Sequence, residues 1–149
     1  MTLKTLCTPR ASVFAADRRA TVLSLDTFLK GQVHGSEFFD ENYFTNGMVT
    51  LVDRAFRHLS GSGAGSSVFL LSQAMGGGKT HLMVALGLLA KHPDLRTTVL
   101  PTELAERLDF GPARVAAFNG RNDPEHYIWG EIGEQLGRAD LVRPYWIDG

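Results

Sequence analysis

The clearest periodic pattern of apolar and polar residues lies at residues 47–59. Apolar side chains recur there every three or four positions, and charged side chains occupy the opposite side, which is the spacing of an amphipathic helix. Thr45 or Asn46 can cap the start of this helix, and Gly61 can end it. A shorter helix is expected within residues 21–32, where the apolar residues have a similar spacing.

Two other stretches are apolar without alternation. Residues 68–72 and 114–119 are short runs of the kind found in buried parallel strands, and residues 97–100 indicate a further short strand. Residues 79–91 are apolar almost all round, which predicts a helix packed on more than one side. Additional helices are expected at residues 102–108 and after Asp123-Pro124, which has the pattern of a helix cap and first residue.

This order of elements predicts an α/β fold, in which a parallel sheet lies between two layers of helices. Residues 1–60 would form a helical segment that leads into a core at residues 61–149. So few strands leave apolar faces and strand edges open to water. We therefore expect an incomplete core, which is marginally stable, self-associates or needs a longer neighbouring segment.

A glycine-rich turn connects the first predicted strand to the apolar helix. It matches the phosphate-binding P-loop (Walker A) pattern G-x-x-x-x-G-K-[ST], except that Gln73 replaces the first glycine. Glycines let backbone amides turn toward an anion without a Cβ in the way. Lys79 is the candidate catalytic residue, since its charge can reach the β- and γ-phosphates, and the Thr80 hydroxyl can bind Mg²⁺. The predicted nucleotide-binding residues are Gln73, Ala74, Met75, Gly76, Gly77, Gly78, Lys79, Thr80 and His81.

Composition narrows the classes of function. The 149 residues carry a formal net charge of −1 and no run of Lys or Arg, so direct binding of nucleic acid is not supported. The single cysteine, Cys7, cannot form an internal disulfide. No signal peptide is apparent, and the longest apolar stretch, residues 82–90, is too short to cross a bilayer. We expect a cytoplasmic protein that does not enter membranes.

The chain resembles the N-terminal part of a family of large prokaryotic P-loop ATPases of AAA+ type, which are found in phage-defence islands. The resemblance implies a site for ATP and Mg²⁺ at residues 76–80, and partners that include other defence-system proteins. It also implies that the remaining catalytic residues lie downstream of Gly149. The matching pieces are Phe38-Phe39, Tyr43-Phe44-Thr45, Leu59-Ser60-Gly61, residues 73–81, residues 115–120, Trp129-Gly130-Glu131 and Gln135-Leu136-Gly137.

Hydrolysis chemistry is missing from the pattern. P-loop ATPases hold Mg²⁺ and its waters with a carboxylate at the end of a buried (Walker B) strand. The candidate run, Arg143-Pro-Tyr-Trp-Ile-Asp148, contains a proline and an arginine where a central strand should be apolar. We therefore expect an ATP-binding module of an AAA+-like ATPase that hydrolyses ATP at or near background. Two alternatives stay open: a non-catalytic interaction subunit, and a P-loop small-molecule kinase.

Several residues near the predicted site have two interpretations. His81 could contact phosphate, although packing or capping is the preferred role. Phe38, Phe39, Tyr43 and Phe44 could hold an adenine ring, but aromatic side chains more commonly fill a core.

Overall fold

The structure is a computed structural model that describes residues 7–9, 14, 23–63, 67–72, 74, 76–120 and 127–147. This part of the chain is 58% helix and contains no β-strand. The predicted α/β fold with a parallel sheet is therefore wrong, and the observed architecture is helical. The helices are α1 (Leu25–Leu29), α2 (Gly35–Glu41), α3 (Asn46–Leu59), α4 (Lys79–Lys91), α5 (Pro93–Val99), α6 (Thr102–Arg107), α7 (Ile128–Gln135) and α8 (Ala139–Ile147).

The first predicted strand, residues 68–72, has no regular secondary structure and is largely exposed. Val68 is 80% exposed and Leu70 is 89% exposed, whereas a central strand would bury both. The backbone of residues 69–72 makes no hydrogen bond to another described residue. A strand exists only through pairing with a neighbour, and the described part of the chain contains no β-strand that could pair with residues 69–72.

The second predicted strand, residues 114–119, is paired with a side chain instead of a strand. The Ala117 amide donates to Gln135 Oε1 at 2.9 Å, and Gln135 Nε2 donates to the Ala117 carbonyl at 2.8 Å. This side-chain amide makes the same pair of bonds that a backbone neighbour in a sheet would make. Arg114 Nη1 also donates to the carbonyl of Leu136, at 3.1 Å. The end of α7 thus holds this segment in place.

The third predicted strand, residues 97–100, is largely helical, since Thr97 to Val99 form the last part of α5. Pro93 occupies the start of this helix, where its missing N–H costs nothing. The Thr97 and Thr98 hydroxyls donate to the carbonyl of Asp94, at 2.8 and 3.2 Å. Such bonds to a preceding turn let threonine occupy a helix, although β-branched residues favour strands.

Other expectations about helices are confirmed. The Thr45 side chain accepts a bond from the Met48 amide at 3.3 Å and caps α3, and Gly61 follows its end with a φ of 75°. Helix α4 has the predicted bounds. A helix is present in the region predicted after Asp123-Pro124: α7 begins at Ile128, with Tyr127 as its N-cap. Asp123 and Pro124, the predicted cap and first residue, lie outside the described residues.

Helix α4 lies at the centre of the core, as its apolar character predicts. Val84 and Ala85 face α1 and α2, and Leu89 belongs to a cluster with residues of α3 and α6. Gly87 allows the close approach of α1, because a Cβ there would lie 2.4 Å from Cζ of Phe28. The packing of this helix on several sides fixes the position of its N-terminus, where the predicted phosphate site begins. The buried core residues are Phe28, Phe38, Val52, Phe56, Val84, Ala85, Leu88, Leu89, Ala90, Leu100, Leu104 and Leu108.

Candidate functional site

The glycine-rich turn has backbone angles that favour glycine. Gly76 and Gly78 have φ values of 81° and 77°, in the left-handed region that other residues rarely adopt. A Cβ at either position would meet no atom within 4 Å, so backbone conformation and not lack of space demands glycine. The Gly77 amide donates to the Ala74 carbonyl at 3.1 Å and closes the turn.

The N-terminus of α4 has no side-chain cap. Its N-cap residue is Gly78, which has no side chain to accept a bond from the first-turn amides. Ser24 caps α1 and Thr45 caps α3 with side-chain oxygens, whereas α2, α5, α6 and α7 lack a side-chain cap as α4 does. The amides and the positive end of the helix dipole at α4 therefore suit an anion.

Lys79 places a positive charge at this turn. Its Nζ donates to the Ala74 carbonyl at 2.9 Å, across the glycines that separate the two residues in sequence. The side chain is half-buried, so its direction is set by the surrounding protein as well as by this bond. An ammonium group has three donors and can serve several acceptors at once. The charge and the helix N-terminus thus lie together.

The remaining predicted residues differ in position. Thr80 is half-buried in the first turn of α4. His81 is exposed, and its ring centroid lies 6.2 Å from that of Phe38, which agrees with a packing role. Gln73 and Met75 lie outside the described residues.

A cleft of about 430 Å³ adjoins the N-terminal end of α4. Lys79 and Thr80 are the polar members of its described lining, which is otherwise apolar. No carboxylate is among these residues, so they could bind Mg²⁺ only through the Thr80 hydroxyl together with oxygens from a ligand. The described lining consists of Leu51, Phe69, Leu71, Lys79, Thr80, Met83 and Leu86.

The aromatic cluster belongs mainly to the core. Phe38 is buried, and Phe39 contacts both Phe38 and Phe44 edge to face, with ring centroids 5.1 and 5.8 Å apart. Tyr43 is exposed and is not part of this cluster. None of these four residues lines the cleft at Lys79.

Arg96 is a buried charged residue that the sequence reading missed. Its guanidinium donates to the carbonyls of Leu108 (2.7 Å), Phe110 (2.7 Å) and Gly111 (3.2 Å), and it stacks on the Phe110 ring at 3.6 Å. Burial lowers the pKa of Arg96, while the charge of Asp109 opposes this shift. An Arg-Thr-Thr sequence gives no sign of this role, because the carbonyls that it binds lie 12 to 15 residues later.

Other ligand chemistry is limited in the part of the chain that the structure describes. No group of three or more His, Cys, Asp or Glu side chains there could hold a metal ion. Glu131 accepts a hydrogen bond from Gln135 Nε2 at 2.7 Å, so it supports the contact between Gln135 and Ala117. None of the described helices has the length and apolar character needed to cross a membrane.

Comparison with known proteins gives one match. Residues 32–99 match the DUF499 N-terminal domain, a range that contains α2 to α5 and the whole glycine-rich turn. No curated protein matches the chain. No solved structure matches it either. Residues 32–99 are therefore similar to the DUF499 N-terminal domain over slightly less than half of the chain.

Proposed function

We propose that this chain binds the phosphates of ATP at residues 73–80, with Mg²⁺ shared between the phosphates and the Thr80 hydroxyl. The observation that carries the proposal is the glycine-capped N-terminus of α4, which follows two left-handed glycines and has the Lys79 charge beside it. The likeness of the turn to a P-loop favours a nucleotide over other anions.

Three kinds of group would contact the phosphates. First-turn amides would donate hydrogen bonds, the helix dipole would favour negative charge, and Lys79 would add a charge-assisted bond. Mg²⁺ keeps several waters and takes phosphate oxygens as ligands, and the Thr80 hydroxyl would be its ligand from the described protein residues. The proposal is restricted to binding, because the cleft lining contains no described carboxylate that could orient a hydrolytic water.

The test is a calorimetric titration of the protein with ATP in the presence of Mg²⁺. Lys79→Ala removes a charge-assisted contact worth about 1.5–3 kcal/mol, which raises Kd by one to two orders of magnitude. Lys91→Ala is a matched control, since it removes the same charge from the same helix about 18 Å away. A folded wild-type protein without saturable binding, or equal weakening by both substitutions, contradicts the proposal.

A second candidate function is an interaction subunit, and the exposed apolar side chains favour it. Val68 and Leu70 are exposed in the segment before the glycine-rich turn, and Trp129 (65% exposed) and Tyr145 (79% exposed) are exposed on α7 and α8. Exposed apolar side chains mark an interaction site where they form a contiguous patch. If two copies associate through the segment, Leu70→Lys abolishes a concentration-dependent increase in sedimentation coefficient. If the wild-type protein remains monomeric at all concentrations, the proposal that this segment mediates self-association is wrong.

A further inference from the structure

We propose that α7 and α8 form an arm that the side-chain amide of Gln135 fastens to the helical core, and that this arm opens while the core stays folded. The inference goes beyond the proposed phosphate site and does not depend on it. When the Gln135 amide leaves Ala117, the two helices move away together and the Ala117 backbone is exposed to water.

Helices α7 and α8 hold each other at both ends. Gly133 lets them approach closely, because a Cβ there would lie 2.7 Å from Cγ2 of Val142. The Arg138 amide donates to the Gly133 carbonyl at 2.7 Å and closes the turn between the helices. Where α7 begins and α8 ends, the Tyr127 hydroxyl donates to the Tyr145 carbonyl at 3.0 Å. These contacts let the two helices move as one unit.

The arm takes no part in the apolar core of the described chain. All members of the two buried clusters, and the half-buried residues packed against them, lie between residues 23 and 115. On the arm, Ile128, Trp129 and Leu141 are exposed instead. Burial of apolar surface is the main force that holds helices together in water. Without a shared core, the attachment of the arm depends largely on polar contacts.

The polar attachment is centred on one side chain. Gln135 Oε1 accepts from the Ala117 amide at 2.9 Å, and Nε2 donates to the Ala117 carbonyl at 2.8 Å. Nε2 also donates to Glu131 at 2.7 Å, so both of its hydrogens are used and the amide is held in one orientation. Arg114 adds a bond of 3.1 Å to the Leu136 carbonyl.

Such an attachment is weaker than the core. Each of its hydrogen bonds replaces bonds to water, so the net contribution of each to stability is small. The core is held by many buried apolar side chains and opens only when they are all exposed. The arm should therefore open far more often than the core unfolds.

The experiment measures the distance between a spin label on the arm and one on the core by double electron–electron resonance. Glu106→Cys on α6 and Leu141→Cys on α8 place both labels at exposed positions, and Cys7→Ser removes the native thiol. We expect a single narrow distance distribution in this reference protein. Gln135→Ala should replace it with a broad one.

Two further variants separate the hydrogen-bonding pair from the size of the side chain. Gln135→Glu keeps the length, but at pH 7 its carboxylate cannot donate to the Ala117 carbonyl and lies beside the Glu131 carboxylate. It should broaden the distribution as Gln135→Ala does. Asp140→Asn changes an exposed polar side chain of α8 outside the attachment and should leave the distribution narrow.

Hydrogen exchange tests whether the arm opens separately. In the reference protein, and after correction for intrinsic rates, the Ala117 amide should exchange about tenfold or more faster than the amide of Leu89 in the core. Gln135→Ala should leave the exchange of Leu89 unchanged.

Four outcomes overturn the inference. A broad distribution in the reference protein shows that Gln135 does not hold the arm. A narrow distribution in Gln135→Ala or in Gln135→Glu shows that other contacts hold it. Equal exchange rates for Ala117 and Leu89 in the reference protein show that the arm opens only when the core unfolds. Faster exchange of Leu89 in Gln135→Ala shows that the arm is part of the core.

Discussion

Replacement of Arg96 tests whether one buried guanidinium holds the chain after α6 against α5. Arg96→Met keeps an apolar side chain of similar length but removes every hydrogen bond. It leaves the buried carbonyl of Leu108 without its donor, at a cost of about 1–3 kcal/mol, and it removes a stacking contact with Phe110 worth up to about 2 kcal/mol. Part of this loss in stability is offset in the variant, because the wild-type guanidinium is buried at a desolvation cost and its Nε has no hydrogen-bond partner among the described residues. The net loss is about 2–4 kcal/mol.

Equilibrium unfolding in urea measures this loss. With an m-value of about 2 kcal/mol per molar, the midpoint should fall by about 1–2 M. Arg96→Lys should lie between wild type and Arg96→Met, because one ammonium cannot span the three carbonyls. Arg107→Met is the control, since its exposed ion pair with Asp53 is worth at most about 1 kcal/mol. A loss below about 0.5 kcal/mol for Arg96→Met, or one equal to that of Arg107→Met, refutes this reasoning.

Two further predictions concern stability. Gly87→Ala gains about 1 kcal/mol of helix propensity, but the new methyl group pushes on the Phe28 ring at a cost of about 1–3 kcal/mol. The substitution should therefore destabilise the wild type and stabilise a Phe28→Leu variant. Thermal melting that shows a change in stability of the same sign in both backgrounds contradicts this. The pKa of Asp53 is lowered below 3.8, and the hydrogen bond from Arg57 is the largest cause. The ionised Asp53 carboxylate therefore contributes stability above pH 3.8, and this contribution is lost as pH falls through the lower pKa of the folded state. Asp53→Asn should therefore melt at a slightly lower temperature than wild type at pH 7, and this difference should disappear at acidic pH; a difference that persists unchanged down to pH 2 contradicts it.

Helices were predictable from sequence where a local signal and tertiary packing agree. In α3 the apolar spacing, the Thr45 cap and the following Gly61 all indicate the same bounds. In α4 the glycine-rich turn fixes the start and the continuous apolar character reflects burial on several sides. The position of Lys79 at the start of a helix follows from the same local information.

The strands were not predictable, because pairing depends on residues distant in sequence. Residues 68–72 have strand-like composition, yet the backbone of residues 69–72 makes no hydrogen bond to another described residue. In residues 114–119, the backbone of Ala117 pairs with the side-chain amide of Gln135. No sequence pattern predicts that a side-chain amide will take the hydrogen-bonding place of a neighbouring strand. In residues 97–100, bonds from two threonine hydroxyls to Asp94 outweigh the preference of β-branched residues for strands. The cleft was equally hidden, since its walls come from α3, α4 and the exposed segment.

The central claim is that phosphate binds at the glycine-rich turn, and amide NMR of glycine-labelled protein tests it most directly. The chain has 16 glycines, so a glycine-selective ¹⁵N spectrum is simple enough to follow during a titration with ATP and Mg²⁺. We predict saturable shifts at Gly76, Gly77 and Gly78, and no shift at Gly133 or Gly137 in the α7–α8 region. Unmoved signals from the three turn glycines at millimolar ATP, in a folded protein, would contradict the account.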